Sequence, residues 1–290
     1  MFSIQRVSDH VKKKTGKPLA TTEPLWQVLK EFGDLVKENP DLAPALIGKL
    51  PDKATGSTAY NSKGLDDLVG GVFNANTVYR EMLKVVDNDK RLNILDFGCG
   101  AARLLRYFLL FSPEHRYYAC EVNKASLKHV RTLSKKVVAR QVKSHPPSTF
   151  SNNSMDAVYA WSIWTHFDEK TGRAWLEDIH RILKPGGCAL ITVHSDELVG
   201  RYGTDPMLVN RMEEQGGNYQ KIRDEYDTKG FSYWSAYPDD AKDVGIDTET
   251  FGMAFTSIDY IKKNWLDLFE LEGVVTAIPQ WQDLIVLKKR

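Results

Sequence analysis

The sequence predicts an α/β fold in which helices cover both faces of a mostly parallel sheet. Between residues 91 and 195, short apolar runs typical of strands alternate with segments of helical periodicity. Strands joined by helices of this length need right-handed crossovers, which bury both faces of a parallel sheet. A glycine-rich turn directly follows the first of these strands. Because ligands of such sheets bind at the carboxyl ends of the strands, we expect the site there.

An N-terminal helical segment precedes this core. Thr22-Glu23-Pro24 has the composition of a helix start, with a capping residue, an early acid and a proline in the first turn. Apolar residues follow at helical spacing until Asn39-Pro40 ends the pattern. Residues 52–71 are rich in Gly and Ser and predict a loose connection, after which residues 72–86 resume a helical pattern. We expect this segment to form one wall of the ligand site.

The core itself is predicted element by element from the same periodicities. We expect strands at 93–97, 117–120, 137–142, 157–161 and 189–194, and helices at 102–110, 124–133 and 171–183. A further helix is predicted at 257–269, followed by strand signals at 270–277 and 283–288. The domain organisation is then a helical segment at 1–90, a core at 91–195, an insertion at 196–255, and closing elements at 256–290.

The insertion is polar, shows no clear periodicity and holds many aromatic residues. Insertions on this side of a sheet commonly build a substrate pocket or lid, and aromatic rings suit the C–H face of a sugar. The alternative, which is simpler for most of these residues, is that they form the small core of the insertion itself. The residues are Tyr202, Tyr219, Tyr226, Phe231, Tyr233, Trp234 and Tyr237.

The glycine turn is the most informative segment of the chain. An apolar run ends in Asp96, and Gly98 and Gly100 follow before a helical segment begins. Glycines permit a tight turn there and let backbone N–H groups approach a nucleotide-like ligand. Glu121 ends the second strand, where a carboxylate is placed to accept hydrogen bonds from both hydroxyls of a ribose.

A dinucleotide-binding site shares the strand, the turn, the helix and the acid. Three details argue against that class. Arg103 stands where the third glycine of the dinucleotide motif belongs, and Asp96 would repel a pyrophosphate. The third detail is Leu183-Lys184-Pro185-Gly186-Gly187, which leads into the fifth predicted strand.

The turn, the acid and the Leu-Lys-Pro-Gly-Gly segment, in this order, resemble class I S-adenosylmethionine (SAM) dependent methyltransferases. The resemblance covers residues 76–195 well and 256–290 loosely. It implies an enzyme with SAM as its cofactor and a Rossmann-like, mostly parallel seven-stranded sheet that ends in an antiparallel hairpin. Residues 162–167 and 281–287 are similar to a bacterial group associated with surface-polysaccharide or small-molecule biosynthesis.

The resemblance assigns cofactor binding to Asp96, Gly98, Gly100 and Glu121, while Ala102 replaces the third glycine of the motif. An acidic adenine contact after the third strand has no counterpart here. Arg103 and Arg106 are candidates for binding the cofactor carboxylate or a substrate phosphate; surface salt bridges are the equal alternative.

Trp161 and Ser162 end the fourth predicted strand, where the resemblance implies the methionine part of the cofactor. The face of an aromatic ring there attracts the sulfonium cation. Packing of the Trp161 ring against the next helix is an equally weighted alternative. Both residues are therefore predicted as cofactor contacts.

Transfer of a methyl group to a hydroxyl needs a base, and histidine has a pKa near neutrality. His166 follows the fourth strand and His194 ends the fifth, so both are predicted as catalytic, His166 first. Helix capping or backbone hydrogen bonding is the alternative for each. His166, His194 and Asp196 are a conceivable metal set, but no ligand spacing demands one, and we predict no metal. His180 is predicted to be structural, and three other histidines are predicted to lie at the surface: His10, His115 and His129.

Composition limits the function classes further. The net charge of +1 and the lack of a basic stripe argue against a nucleic-acid partner. No apolar run has the length of a bilayer, and the N-terminus lacks a signal core, so we expect a cytoplasmic protein without membrane insertion. The expected partner is a small-molecule or glycan acceptor; the sequence does not predict the oligomeric state.

Two kinds of function follow from these observations. The first is O-methylation of a sugar, glycan or other small-molecule hydroxyl. The second is non-catalytic, a SAM-binding partner or regulatory subunit. Within the enzymatic class, N- or C-methylation of a natural-product acceptor stays open.

Overall fold

A computed structural model describes residues 1–51, 65–87, 89–235, 250–278 and 281–290. The chain forms two compact units, residues 1–141 and residues 142–290. The main sheet has seven strands, three in the first unit and four in the second, and two further strands pair with each other. Among these residues, no helix combines the length and the apolar character needed to cross a membrane.

The helices described before the first strand are α1 (Ile4–Thr15), α2 (Leu25–Glu38), α3 (Ala43–Ile47) and α4 (Leu65–Met82). As predicted, α2 ends before Asn39, but it begins at Leu25, so Pro24 stands at the N-cap position and not in the first turn. Residues 65–71 were expected to be loose, but they form the first turns of α4. The buried side chains of Leu68 and Val69, together with an acidic first turn, outweigh the low helix propensity of two glycines. Residues 52–64 of that expected connection lie outside the described residues.

Three parallel strands form the sheet of the first unit, in the order β3-β2-β1. They are β1 (Asn93–Phe97), β2 (Arg116–Glu121) and β3 (Val138–Gln141). The register aligns Asp96 with Ala119 and Phe97 with Cys120, so β1 and β2 end side by side. This alignment brings the turn after β1 next to the last residue of β2.

Two helices connect these strands, α5 (Leu105–Phe111) and α6 (Lys124–Leu133). The bounds of α6 agree with the prediction, because the side chain of Asn123 caps the helix by accepting hydrogen bonds from two backbone N–H groups. The other helix begins three residues later than predicted. Ala102 has a φ of 62°, a left-handed conformation that cannot belong to a right-handed helix.

Two histidines of the first unit are buried, so their predicted surface position was wrong. His115 is 5% exposed, and its Nδ1 accepts a hydrogen bond from the backbone N–H of Leu92. Its Nε2 lies 3.1 Å from the hydroxyl of Tyr79. His129 lies on the buried face of α6. Hydrogen bonds with a backbone N–H and a tyrosine hydroxyl offset the cost of burying the His115 ring. The residue type alone does not indicate such partners.

The second unit contains four strands of the main sheet in the order β4-β5-β9-β8. They are β4 (Met155–Ala160), β5 (Leu183–Val193), β8 (Phe269–Ile278) and β9 (Gln282–Lys289), with α7 (Glu169–Ile182) between the first two. β4 and β5 are parallel, whereas β9 pairs antiparallel with both β5 and β8. A mostly parallel seven-stranded sheet that ends in an antiparallel pair confirms the predicted fold class.

The described residues of the insertion after β5, 196–235 and 250–255, form regular elements, although the sequence shows little periodicity. Its helices and paired strands are α8 (Asp196–Thr204), α9 (Pro206–Glu214), α10 (Tyr219–Lys229), β6 (Phe231–Trp234) and β7 (Met253–Thr256), and α11 (Ile258–Asn264) follows. Tyr202, Tyr226 and Phe255 belong to a buried apolar cluster of this segment. Tyr202 and Tyr226 thus follow the simpler interpretation, a small core; Tyr237 lies outside the described residues.

Candidate functional site

The turn after β1 is held against the end of β2 by backbone hydrogen bonds. The N–H groups of Gly98 and Cys99 both donate to the carbonyl oxygen of Cys120, each over 3.0 Å. Gly98 and Gly100 have φ values of 71° and 48°, which glycine adopts without a steric penalty. Asp96, the last acid before the turn, is only 4% exposed. The predicted glycine turn is therefore a tight, left-handed loop at the carboxyl end of β1.

Glu121, the last residue of β2, contacts this turn directly. Its Oε2 accepts a hydrogen bond from the backbone N–H of Gly100 over 2.9 Å. Its Oε1 accepts from the N–H groups of Val122 and Asn123 over 2.8 and 3.1 Å. Burial raises the pKa of Glu121, while the three backbone donors favour the charged form and oppose that rise. Since a carboxylate has about four acceptor positions, capacity remains for another donor.

Ala102 occupies the place of the third motif glycine, and its backbone is strained there. Its φ of 62° is one that residues with a Cβ rarely adopt. The N–H of Ala102 donates to the carbonyl of Cys99 over 2.8 Å, which helps to hold this conformation. Backbone strain of this kind costs of order 1–2 kcal/mol and persists where the surroundings impose it.

Trp161 and Ser162 directly follow β4 in the second unit. Trp161 is buried, and its Nε1–H has no hydrogen-bond partner in the described part of the chain. Ser162 has a φ of 58°, and its N–H donates to Oγ1 of Thr192 over 2.7 Å. Nε2 of Gln282, the first residue of β9, donates to Oγ of Ser162 over 2.8 Å. Ser162 thus adopts a strained conformation that two neighbouring strands stabilise.

His166 is half-buried in the loop between β4 and α7. Its Nδ1 lies 2.8 Å from the carbonyl oxygen of Gly252, and its ring stacks on Phe251 with centroids 4.6 Å apart. A carbonyl oxygen can only accept, so Nδ1 carries the proton and Nε2 carries the lone pair. Burial lowers the pKa of His166, against the opposing effect of the Gly252 carbonyl. The imidazole is therefore neutral, with a defined tautomer.

His194 directly follows β5 and is 7% exposed. Burial, with the positive charge of a protonated His166 as a second cause, lowers the pKa of His194 to about 3. Its Nδ1 has no hydrogen-bond partner within the residues that the structure describes. His194 is thus a neutral imidazole that is a much weaker base than free histidine.

Residues 250–256, including β7, connect the loop after β4 with the end of β5. The N–H groups of Gly252 and Ala254 donate to the carbonyls of His166 and Thr165 over 2.8 and 2.9 Å. The N–H of Thr256 donates to the carbonyl of His194 over 2.7 Å. The structure therefore brings the two predicted catalytic histidines together through one segment.

The sequence did not predict this segment, which includes Gly252, and it did not predict a role for Gln282 beside Ser162. The alternation of Phe251, Met253 and Phe255 is a short strand signal that was available. At Gly252, a Cβ would lie 2.1 Å from the carbonyl oxygen of Trp234, so only glycine permits this close pairing. Nothing local to the sequence indicates the contact between Gln282 and Ser162.

A cavity of about 660 Å³ lies beside this region in the second unit. The insertion supplies one side of it, and the loop after β4 with the start of α7 supplies another. Its aromatic lining consists of Trp164, Phe167, Phe231, Tyr233, Tyr260 and Trp265. Acidic and basic groups also line it: Asp168, Glu169 and Glu225, with Lys170, Arg173 and Lys229. His166 and His194 are not among its lining residues.

Metal ligation has no support in the described residues, where no three or more His, Cys, Asp or Glu side chains are grouped suitably for an ion. In the set of His166, His194 and Asp196, which was conceivable from the sequence but not predicted, Asp196 has another partner. Oδ1 of Asp196 accepts a hydrogen bond from the hydroxyl of Tyr226 over 2.8 Å.

Comparison with known proteins gives the class of this fold and site. Residues 94–187, from β1 to the beginning of β5, match the family model described as a methyltransferase domain. No curated protein matches the sequence. This match indicates a methyltransferase domain in that part of the chain, and so an enzyme with SAM as its methyl donor.

Solved structures share the fold at low sequence identity. A 1,6-didemethyltoxoflavin N1-methyltransferase from Burkholderia thailandensis, solved with 1,6-didemethyltoxoflavin and S-adenosylhomocysteine, superposes with a TM-score of 0.52 at 13% identity, covering 94% of this chain and 92% of that chain. A SAM-dependent methyltransferase from Methanosarcina mazei has a TM-score of 0.50 at 14% identity, covering 71% of this chain and 95% of that chain. Both show the class I methyltransferase fold.

Proposed function

We propose that this protein is a SAM-dependent methyltransferase that methylates a hydroxyl group of a sugar, a glycan or another small molecule. One observation supports the cofactor part of the proposal. The carboxylate of Glu121 accepts a hydrogen bond from the backbone N–H of Gly100, and both residues lie in the stretch that matches a methyltransferase domain. When bound, SAM supplies an electrophilic methyl group on a sulfonium.

Asp96, Gly98, Gly100 and Glu121 bind the cofactor in this proposal. The left-handed turn exposes backbone N–H groups, and the Glu121 carboxylate retains acceptor capacity for ribose hydroxyls. Three backbone donors leave about one of the four acceptor positions of Glu121 open, so binding of both ribose hydroxyls requires the release of one backbone N–H, such as that of Gly100. The residues therefore fit a nucleoside with a free ribose.

Trp161 and Ser162 are the cofactor contacts that we propose in the second unit. The orphaned Nε1–H of Trp161 supports a role beyond core packing, because a buried N–H donor without a partner is costly. The strained φ of Ser162 is of the kind that clusters at functional sites. The hydrogen bond from Gln282 then positions the Ser162 hydroxyl.

His166 is the general base that we propose. The hydrogen bond to Gly252 leaves the lone pair on Nε2, and the lowered pKa keeps the ring neutral at physiological pH. Nε2 therefore can accept the proton of an acceptor hydroxyl as the oxygen attacks. Alignment of that oxygen with the methyl group supplies much of the remaining rate.

His194 is the second catalytic candidate. With a pKa of about 3, it accepts a proton reluctantly, so it suits a neutral polar contact to the acceptor better than proton transfer. Because His194 is uncharged, it does not oppose protonation of His166 by electrostatic repulsion. We therefore keep both histidines as catalytic candidates and His166 as the first.

The aromatic cavity supports a pocket for the body of the acceptor. Aromatic walls with polar groups between them suit a ring whose C–H face stacks and whose hydroxyls form hydrogen bonds. This arrangement favours a sugar or glycan, as in surface-polysaccharide biosynthesis. The insertion, residues 196–255, then acts as the wall of the acceptor site. The proposal includes a cytoplasmic location. It also includes no nucleic-acid partner, which the net charge of +1 supports.

Calorimetric titration with SAM and S-adenosylhomocysteine, followed by a methyl-release assay on a panel of sugars, sugar nucleotides and small phenols, tests the function. Binding with turnover on a hydroxyl acceptor supports it. Binding without turnover favours the regulatory alternative, and turnover on an amine favours N-methylation. No binding of either nucleoside would refute the cofactor assignment.

A further inference from the structure

Arg106 in the first unit is completely buried, at 1% exposure, although a surface salt bridge or an anion site was expected for it. Its guanidinium donates to backbone carbonyls on both sides. Nε donates to Ala102 over 3.1 Å, and one terminal nitrogen donates to Ala101 over 3.1 Å. The other donates to the carbonyl of Ile47 over 2.8 Å. Arg106 therefore connects the end of the glycine turn to the last residue of α3.

Two contacts from α4 hold the same turn and the helix after it. The hydroxyl of Tyr107 donates to the carbonyl of Leu68 in a short hydrogen bond. Gly71 lies so close to the turn that a Cβ there would be 2.5 Å from the carbonyl oxygen of Arg103 and 2.9 Å from its Cγ. No flexible side-chain end absorbs the first of these clashes, because the atom belongs to the backbone. The approach of α4 to residue 103 thus requires glycine.

We propose that the N-terminal helical segment sets the affinity for the cofactor by positioning the backbone of the glycine turn, through the contacts of Gly71 and Arg106. This rests on the proposed function, namely that the turn binds SAM. Gly71 and Arg106 are positioning residues, because they act through the backbone of residues 101–103. α3 and α4 are accordingly part of the cofactor site in function, since a shift of either helix moves the backbone of the turn.

The physical reason is the conformation of the turn. Ala102 is held at a φ of 62° that an alanine does not favour, so the turn needs an external constraint to keep that shape. The guanidinium of Arg106 supplies it by bonding the carbonyls of Ala101 and Ala102 at once. A planar fork with several fixed donors does this, whereas a lysine ammonium does not.

Adjacent glycines of α4 provide a matched experiment. Gly71→Ala forces α4 and Arg103 apart, whereas a Cβ at Gly70 meets nothing within 4 Å. We expect Gly71→Ala to weaken SAM binding by about tenfold, as expected for a loss of roughly one charge-assisted hydrogen bond, and Gly70→Ala to leave Kd unchanged. The KM for SAM should rise in parallel while kcat at saturating SAM stays near the parental value. A purely structural role would not separate KM from kcat in this way.

Arg106→Lys and Tyr107→Phe test the same proposal if Gly71→Ala does not fold. Both variants should raise the Kd for SAM. Leu287→Ala, buried in β9 of the other unit, is the control for loss of stability alone and should leave Kd unchanged. Equal Kd values for the parent, Gly71→Ala, Arg106→Lys and Tyr107→Phe overturn the inference. If the parent itself does not bind SAM, the proposed function fails instead.

Discussion

Glu121 accepts a hydrogen bond from the backbone N–H of Gly100 over 2.9 Å, so the acid that ends β2 contacts the glycine turn that follows β1. The parallel register of β1 and β2 explains why residues distant in sequence meet, because Phe97, the last residue of β1, pairs with Cys120, the residue before Glu121. The same carboxylate oxygens are those that we assign to ribose. Cofactor binding and the shape of the turn are therefore coupled through one side chain.

Replacing Glu121 should weaken SAM binding strongly. Glu121→Ala removes every acceptor for the ribose hydroxyls, and we expect a loss of about 1.5–3 kcal/mol in binding free energy, typical of hydrogen bonds to a charged group. Glu121→Gln, which keeps the size and one oxygen, should lose less. Isothermal titration measures both, with exposed Glu213→Ala on α9 as the control. Parental affinity in Glu121→Ala would show that the cofactor does not use this acid.

His166→Ala should lower kcat by about 10²–10⁴-fold with SAM affinity nearly unchanged, since loss of a general base has that magnitude. His180→Asn is the control, because that ring packs edge-on against Phe269 and away from the loop after β4. The measurement is initial rate on whichever hydroxyl acceptor turns over. A His166→Ala enzyme that keeps more than about a third of parental kcat would remove this residue from proton transfer.

The pH profile of the rate gives an independent test of His166. A base acts in its unprotonated form, so the rate falls as the pH drops through its pKa. Burial lowers that pKa below the ordinary histidine value of 6.5. The acid limb of kcat should therefore lie below pH 6.5, and it should vanish in the residual activity of His166→Ala. An acid limb above pH 7 would require another group.

Elements set by local signals could be predicted from the sequence, whereas contacts made across the chain could not. β1 and α6 agree with their predicted bounds because an apolar run and the cap at Asn123 define them locally. Arg106 was predicted either to bind an anion or to form a surface salt bridge, and it does neither in the described structure, where backbone carbonyls accept from its guanidinium. Its carbonyl partner Ile47 lies 59 positions away, and only the packed fold brings them together.

The candidate site follows the same division. Gly98, Gly100 and Glu121 were predicted because turn chemistry and strand register fix their positions. The tautomer of His166 depends on Gly252, which is 86 positions away, so residue type alone indicated a base but not which nitrogen acts. The helices of the insertion were missed because α10 buries only Ile222 and Tyr226, too few for a visible periodicity.

His194 should make the folded state sensitive to acid. In the unfolded chain it protonates near pH 6.5, but in the folded protein its pKa is about 3. Between these values the unfolded state binds the extra proton, so stability falls as the pH falls. From pH 7 to pH 5 the contribution of His194 is a loss of about 2 kcal/mol, by the linkage relation. Urea unfolding at pH 7 and pH 5 measures this difference. The free energy of unfolding should fall by about 2 kcal/mol less in His194→Phe than in the parent. Equal decreases in the two proteins would contradict the burial of a neutral imidazole.

The aromatic cavity predicts an effect on the acceptor alone. Phe231→Ala removes a ring from the lining and should raise the KM for a sugar-type acceptor by about tenfold, given ~1 kcal/mol or more per lost aromatic contact, without changing the Kd for SAM. Met207→Ala is the control within the insertion, because Met207 is 77% exposed and does not line the cavity. An unchanged acceptor KM in Phe231→Ala would place the acceptor elsewhere.

Ser162 should reverse the usual stability order of alanine and glycine. Both Ser162→Ala and Ser162→Gly lose the hydrogen bond from Gln282, so that loss cancels in a comparison of the two variants. Alanine keeps the left-handed strain of about 1–2 kcal/mol at a φ of 58°, and glycine relieves it at an entropic cost of about 0.5–1 kcal/mol. We therefore expect Ser162→Gly to be more stable than Ser162→Ala by about 0.5–1 kcal/mol in urea unfolding. At an ordinary negative φ the order is the opposite, so a more stable Ser162→Ala would show that the residue is not held in this conformation. Both variants lack the hydroxyl, so an equal loss of SAM affinity in the two would report the role of the Ser162 side chain. The difference in unfolding free energy between them would report the role of the backbone conformation.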